Sequence, residues 1–393
     1  MSTLLLLGVI TLAYVSLGLP DTLLGAAWPV MRLSLGAPLD GAGVVSMVIA
    51  GGTTLSSLLS ARLLTRFGTG RVAFCSVLAT ALALLGFSCS GSLGAALLCA
   101  LPLGLGAGAV DAGLNNFVAL HYPPRVMSFL YCFWGVGALS GPAVLAFWIA
   151  RQGESGWQAG YRTVALIQLG LVAVLGLALP LWRRLEAPPC PEGPLPCRCL
   201  TPRETLALPG VRASLTAFFC DASLEAGAAL WTGTFLVEAR GVPEDRAAFC
   251  ASLFYGGMAA GRALSGALSG RVPSPRLIRL GQGLCGVGAG LLLCPLPLGL
   301  TMAGLLLLGV GCAPLYPAML AATPGRFGAA ASQSVMGLQL AAATLAAAVT
   351  PPLLGLVLQA TSPGVFPVYL LGALGAMLVF CERVNRALEP PEK

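Results

Sequence analysis

The sequence predicts an all-α membrane protein of twelve transmembrane helices arranged as two pseudo-symmetric six-helix bundles. Three observations carry that prediction. Twelve apolar stretches follow one another along the chain, each near the roughly 20 residues that a helix needs to cross a bilayer. Apolar residues make up 57% and charged residues 9%, against roughly 45–50% and 25% in soluble domains. The second half also repeats landmarks of the first at an offset of about 205 residues.

The spans fall near residues 4–31, 42–61, 72–90, 93–120, 127–150, 161–182, 211–237, 246–269, 277–295, 299–322, 329–358 and 364–381. Inside a bilayer every backbone polar group must be satisfied within the segment or its bundle, so apolar runs of this length are helices. The stretch 185–210 differs in texture. It is rich in Pro, holds much of the loop charge and lacks an apolar helical period. It reads as a linker between a first bundle (1–184) and a second (211–393). The repeat supports the division. Asp21 with Trp28 corresponds to Glu225 with Trp231, Gly104-Leu105-Gly106 to Gly309-Val310-Gly311, and Gly141-Pro142 to Thr350-Pro351. Parallel six-span halves are a known transporter plan, with the solute site near the bilayer midplane between the halves.

Twelve spans and short loops use nearly all 393 residues, which leaves no room for a soluble catalytic domain. No nucleophile–base arrangement stands out, and His121, near a span end, reads as interfacial; the protein is not expected to be an enzyme. The net charge of +7 does not mark nucleic acid, because the basic residues are spread over the short loops. With the amino terminus inside, sixteen of the 22 Lys and Arg fall on the cytoplasmic side. Arg32, Arg151, Arg162, Arg240 and Arg246 fall outside, and Arg262 lies within a span. That asymmetry places both termini in the cytoplasm, and the expected location is the cell's inner membrane. The first span is long, carries Asp21 and lacks a small-residue cleavage site, so no removed leader is expected. Most of the 13 cysteines sit singly inside spans and read as small hydrophobes. Cys190, Cys197 and Cys199 cluster in the linker, but their spacing matches no zinc pattern. No metal and no cofactor are expected.

Several segments together resemble the major facilitator superfamily, over essentially the whole chain. The loop Ala61-Arg62-Leu63-Leu64-Thr65-Arg66-Phe67-Gly68-Thr69-Gly70-Arg71 is similar to that superfamily's cytoplasmic loop signature, with Thr65 in place of the usual acid and Ala61 in place of the leading Gly. Gly104-Leu105-Gly106, Asp111, Asn115-Asn116, Gly135-Val136-Gly137-Ala138 and Gly141-Pro142 resemble the fucose–proton symporter branch. The resemblance implies the major facilitator fold. It also implies that Asp21 and Asp111 serve solute binding and proton coupling, and that Arg62, Arg66, Arg71 and Arg271 belong to a cytoplasmic gate. An Asn that the branch places in span 5 is Trp134 here.

The residues themselves point the same way. An ionisable side chain inside a span costs ~2.5–3.5 kcal/mol on insertion scales and so needs a reason. Asp21 lies ~25 Å along its span at 1.5 Å per residue, next to Pro20, which lets the helix open locally. Asp111 has Asn115 one turn on, on the same face. Glu225 follows Asp221 by one turn, and two such acids repel when both are charged, which favours one of them holding a proton. Asp21, Asp111 and Glu225 are the proton-coupling candidates. Each has a plainer alternative as a polar latch between helices, and Arg262 either snorkels to the headgroups or pairs with an acid. Asn115, Trp28, Tyr131, Trp134, Trp231, Tyr255, Tyr316 and Gln339 are the candidates for solute contact; the aromatic rings can stack on sugar or can simply pack. The Gly-rich runs mark close helix approach, not a nucleotide loop.

The leading expectation is a secondary active transporter that moves a small, sugar-like hydroxylated solute by alternating access with protons in symport. It works as a monomer whose partners are the solute, protons and the lipid bilayer, with no nucleic acid. Two alternatives stay open at this point: drug or metabolite efflux by proton antiport, and a membrane sensor that binds a solute without moving it.

Overall fold

The computed structural model describes residues 2–37, 41–185, 200–242, 244–268 and 270–388. Among them helices and short turns account for everything, with no strand. The chain divides into two compact units, Met1–Phe117 with Leu130–Thr201, and Val118–Phe129 with Pro202–Lys393.

The first helices are α1 (Ser2–Asp21), α2 (Leu23–Ser34), α3 (Gly41–Phe67), α4 (Thr69–Cys89), α5 (Leu93–His121), α6 (Pro124–Gln152) and α7 (Gly156–Leu185). They are followed by the short α8 (Pro202–Ala207), α9 (Val211–Thr234), α10 (Glu244–Leu268), α11 (Ser274–Leu293), α12 (Leu298–Cys312), α13 (Leu315–Phe327), α14 (Ala329–Ala360) and α15 (Phe366–Leu388). A π-helical turn, Phe235–Ala239, extends α9. Two spans are interrupted: the first is α1 plus α2, and the tenth is α12 plus α13. With those pairs joined, the helices make the twelve spans. Eight segments of the described residues are long and apolar enough to cross a membrane by length and composition, and one of them, Pro124–Trp182, holds both α6 and α7. α9 carries Asp221 and Glu225, α10 carries Glu244, Asp245, Arg246 and Arg262, and α11 opens with Arg276 and Arg279, and these charged helices fall outside that set.

Side chains turned away from the bundles are themselves apolar. Leu177 is 84% exposed, Leu98 79% and Leu139 76%. Such a surface is an aggregation liability in water and an ordinary one against lipid.

Prolines inside the helices leave backbone vacancies that neighbouring side chains fill. A proline has no N–H to give the carbonyl four residues back, and an orphaned carbonyl is costly in lipid. For Pro20 that carbonyl is Ser16, and Gln168 of α7 donates its Nε2 to it at 2.8 Å. The Gln168 Oε1 accepts from Thr80 of α4 at 2.7 Å, along the extensive α4–α7 contact. For Pro142 the carbonyl is Ala138, and the Thr22 hydroxyl, at the α1–α2 break, donates to it at 2.7 Å. Two prolines thus tie α1 to α7 and to α6.

The seams between helices are set by glycine, and the repeat is visible in them. A Cβ on Gly104 of α5 would run into the Ile49 carbonyl of α3, and one on Gly309 of α12 into the Phe254 carbonyl of α10. Likewise Gly106 abuts Ser76 and Thr80, while Gly311 abuts Gly281 and Cys285. Every residue in the second set lies 205 positions after its partner in the first, so each unit builds the same close approach. In the first unit Thr53, Ser56 and Ser57 add hydroxyl donors to the Gly104, Leu105 and Gly108 carbonyls at 3.2, 2.6 and 3.3 Å.

Candidate functional site

In the first unit the break after Pro20 leaves Asp21 at the end of α1 with an exposed side chain. Its Oδ2 accepts from the Trp134 indole of α6 at 3.0 Å. That approach depends on Gly18, where a Cβ would strike the Trp134 carbonyl, and on Gly137, where one would strike the Val15 carbonyl. Gly137 and Gly141-Pro142 are therefore accounted for by the α1–α6 seam.

Asp111 of α5 is half-buried and lies within Coulombic range of Asp21. Its Oδ1 accepts from Asn115 Nδ2 at 2.8 Å. Asn115 is completely buried. Its Oδ1 accepts from two phenols, Tyr14 of α1 at 2.9 Å and Tyr131 of α6 at 3.1 Å. The two rings meet edge to face, with centroids 5.6 Å apart. Asp21, Asp111, Asn115, Tyr131 and Trp134, all expected from sequence, lie together in the fold. Tyr14, two turns before Asp21, joins them with no signal in the sequence. Trp28, another candidate from sequence, is buried in the core with Leu23, Met31 and Leu84, its ring against Gly41.

In the second unit Glu225 of α9 is half-buried and pairs with Arg262 of α10 at 4.0 Å. Asp221, one turn earlier, is 1% exposed, and its Oδ2 has no hydrogen-bond partner among the described residues. The two acids lie within Coulombic range. Tyr255, 55% exposed, is in range of Glu225 as well. Trp231 donates to the Pro351 carbonyl of α14 at 2.9 Å, with its ring seated on Gly355. Tyr316 stands edge-on to Phe218, centroids 5.5 Å apart. Gln339 is 1% exposed and spans three helices: it donates to Ser214 Oγ at 2.8 Å and accepts from Thr323 at 3.1 Å. Tyr369 of α15, not named from sequence, donates to the Ser223 carbonyl at 2.9 Å.

Arg62 and Arg66 end α3, Arg71 opens α4 and Arg271 lies in the turn after α10, all exposed. Among the described residues no cluster of His, Cys, Asp and Glu could hold a metal ion. Cys190, Cys197 and Cys199 lie outside the described residues.

The family profile of the Major Facilitator Superfamily matches residues 10–198 and 213–393. The chain belongs to that superfamily. Solved structures share the fold. FucP, a superfamily transporter in the outward conformation, aligns with a TM-score of 0.79 at 14% identity, over 99% of this chain and 100% of that chain; the E. coli FucP is a fucose:proton symporter. The proton:xylose symporter XylE aligns at 0.78 with 13% identity, over 98% of this chain and 99% of that one. The human organic anion transporter MFSD10 aligns at 0.70 with 17% identity, over 98% of both. No curated protein matches the sequence significantly. This superfamily member is thus a multi-pass membrane transporter and not an enzyme.

Proposed function

We propose that the protein is a proton-coupled secondary transporter of a small hydroxylated, sugar-like solute, working by alternating access as a monomer in an inner membrane with both termini cytoplasmic. One observation carries the reading: two carboxylates in Coulombic range of each other, each held by a single neutral donor. Asp21 rests on Trp134, and Asp111 rests on Asn115. An exchangeable proton needs such an acid, ordered yet open to a competing ligand. Asp21 is exposed, so a solute hydroxyl can replace the indole as its donor while the indole plane covers the ring of the solute. Loading of the solute and loading of the proton then act on the same carboxylate. That gives the differential interaction any ligand needs in order to shift a conformational equilibrium.

The neighbouring symporters make fucose and xylose the first solutes to try, within a thermal-shift screen of sugars, organic acids and drugs. A cavity ligand stabilises by RT ln(1 + [L]/Kd). The decisive assay is uptake into proteoliposomes with and without an inward proton gradient. Asp21→Asn keeps the size of the side chain and removes its titration. The variant is expected to lose gradient-driven accumulation and to retain part of its counterflow exchange, with Glu225→Gln as the second variant. If neither change alters the gradient dependence, proton coupling through these acids is wrong.

A further inference from the structure

A cavity of the first unit lies apart from the carboxylate cluster that carries the transport reading, and its two arginines are among those expected at the cytoplasmic gate. It holds about 280 Å³ at the turn joining α3 to α4, beside the end of α7, and is lined by Arg66, Gly68, Gly70, Arg71, Leu179 and Trp182 among others. None of these belongs to the acid cluster.

Three features of the cavity offer positive charge or hydrogen-bond donors. First, no acid pairs with the two guanidiniums among the described residues. Arg71 makes no ion pair among the described residues, and Arg66 stacks only on its neighbour Phe67, at 5.4 Å from the ring centre. The sequence from Arg62 to Arg71 contains no Asp or Glu, and Thr65 turns its hydroxyl onto the Ala61 and Arg62 carbonyls of its own helix at 2.9 and 3.2 Å. Second, α4 begins here. Its N-cap is Gly68 with φ 80°, which brings no capping side chain, so the amides of Gly70 and Arg71 lack intrahelical acceptors. Third, the Trp182 indole borders the same space. It is 1% exposed, and its Nε1–H has no hydrogen-bond partner among the described residues. The ring cannot swing to find one, because Gly70 sits flush against it and Phe117 stacks on it at 4.8 Å. Buried donors without acceptors are rare in folded proteins and ask for a missing partner.

We propose that this cavity binds a phosphate-type oxyanion, either the headgroup phosphate of an anionic lipid or a free phosphate. Such a group is acceptor-only at its charged oxygens and so meets the guanidiniums, the helix amides and the indole N–H at once. Basic pockets at the ends of spanning helices are suited to lipid headgroups in particular.

The test uses the purified full chain in a neutral detergent at physiological ionic strength. One arm titrates inorganic phosphate; the other titrates a short-chain phosphatidylglycerol, with phosphatidylcholine as control, read by thermal shift and native mass spectrometry. Saturable binding is expected in at least one arm, weakened by about tenfold or more in Arg66→Gln/Arg71→Gln and by several-fold in Trp182→Phe, which keeps the ring and removes only the N–H. Binding of phosphate alone assigns a free anion; binding of the lipid without phosphate assigns a headgroup. Both arginines are exposed, so the double variant is expected to elute and melt like the parent. The proposal is overturned if neither probe binds, if phosphatidylcholine binds equally, or if the double variant or Trp182→Phe keeps full affinity.

Discussion

Asn115 sets the polarity of the first cluster. Two phenol hydroxyls claim its oxygen, so its amide nitrogen must face Asp111. The Asp111 carboxylate is thereby met by a donor and held ready to accept. A buried acceptor stripped of both partners carries a desolvation cost of about 1–3 kcal/mol, whereas one interhelical hydrogen bond in a membrane is worth only about 0.6 kcal/mol on average. Tyr14→Phe or Tyr131→Phe alone is therefore expected to lower thermal stability slightly, and the double variant by more than the two singles together. Simple additivity of the three melting curves would show that the phenols do not share Asn115 as an acceptor. Sequence could find the acids of this cluster because a charge inside an apolar run stands out against its surroundings. Tyr14 was not legible, since a tyrosine in a span is usually a packing residue and nothing local tells which helix its hydroxyl will reach.

Helices in this chain are held to one another partly by what their prolines leave undone. Pro20 frees the Ser16 carbonyl, and Gln168 supplies the donor that Pro20 lacks. The sequence shows where the vacancy must fall, four residues before each proline, but not which helix fills it. For that reason Gln168 and Thr22 were missed while the weakening of the helix at Pro20 was foreseen. Gln168→Leu removes the donor and is expected to destabilise the protein by about 1–3 kcal/mol. Pro20→Ala returns a backbone N–H within hydrogen-bonding reach of Ser16, so adding it to Gln168→Leu should recover part of the loss. A double variant no more stable than Gln168→Leu, measured by thermal melting in detergent, would sever the link between the two residues.

At the scale of the whole molecule the apolar runs and the 205-residue repeat made the fold legible, because a bilayer permits few architectures and each unit reuses the same glycine seams. The seams test the repeat directly. Gly309→Val should cost more than the 1–3 kcal/mol typical of overpacking, since its Cβ would overlap a backbone carbonyl that cannot rotate away. Gly104→Val should behave alike, and Gly8→Ala, with nothing within 4 Å, should be neutral or stabilising. Orientation rests on a different physical term, the distribution of Lys and Arg over the loops, because the fold itself is indifferent to which face meets the cytoplasm. An even number of spans puts both termini on one side, and the proposed orientation, argued from the basic loops, makes that side the cytoplasm. The turn around Gly153, between α6 and α7, then lies outside, and the linker position Glu192 lies inside. In a cysteine-free background, a thiol at Gly153 should react with a membrane-impermeant maleimide added to intact cells. One at Glu192 should react only after the membrane is opened. Modification of the Glu192 thiol from outside would reverse the orientation, and with it the face on which Arg62, Arg66 and Arg71 could act as a gate. The carboxylate cluster would remain intact, and only the direction of loading would change.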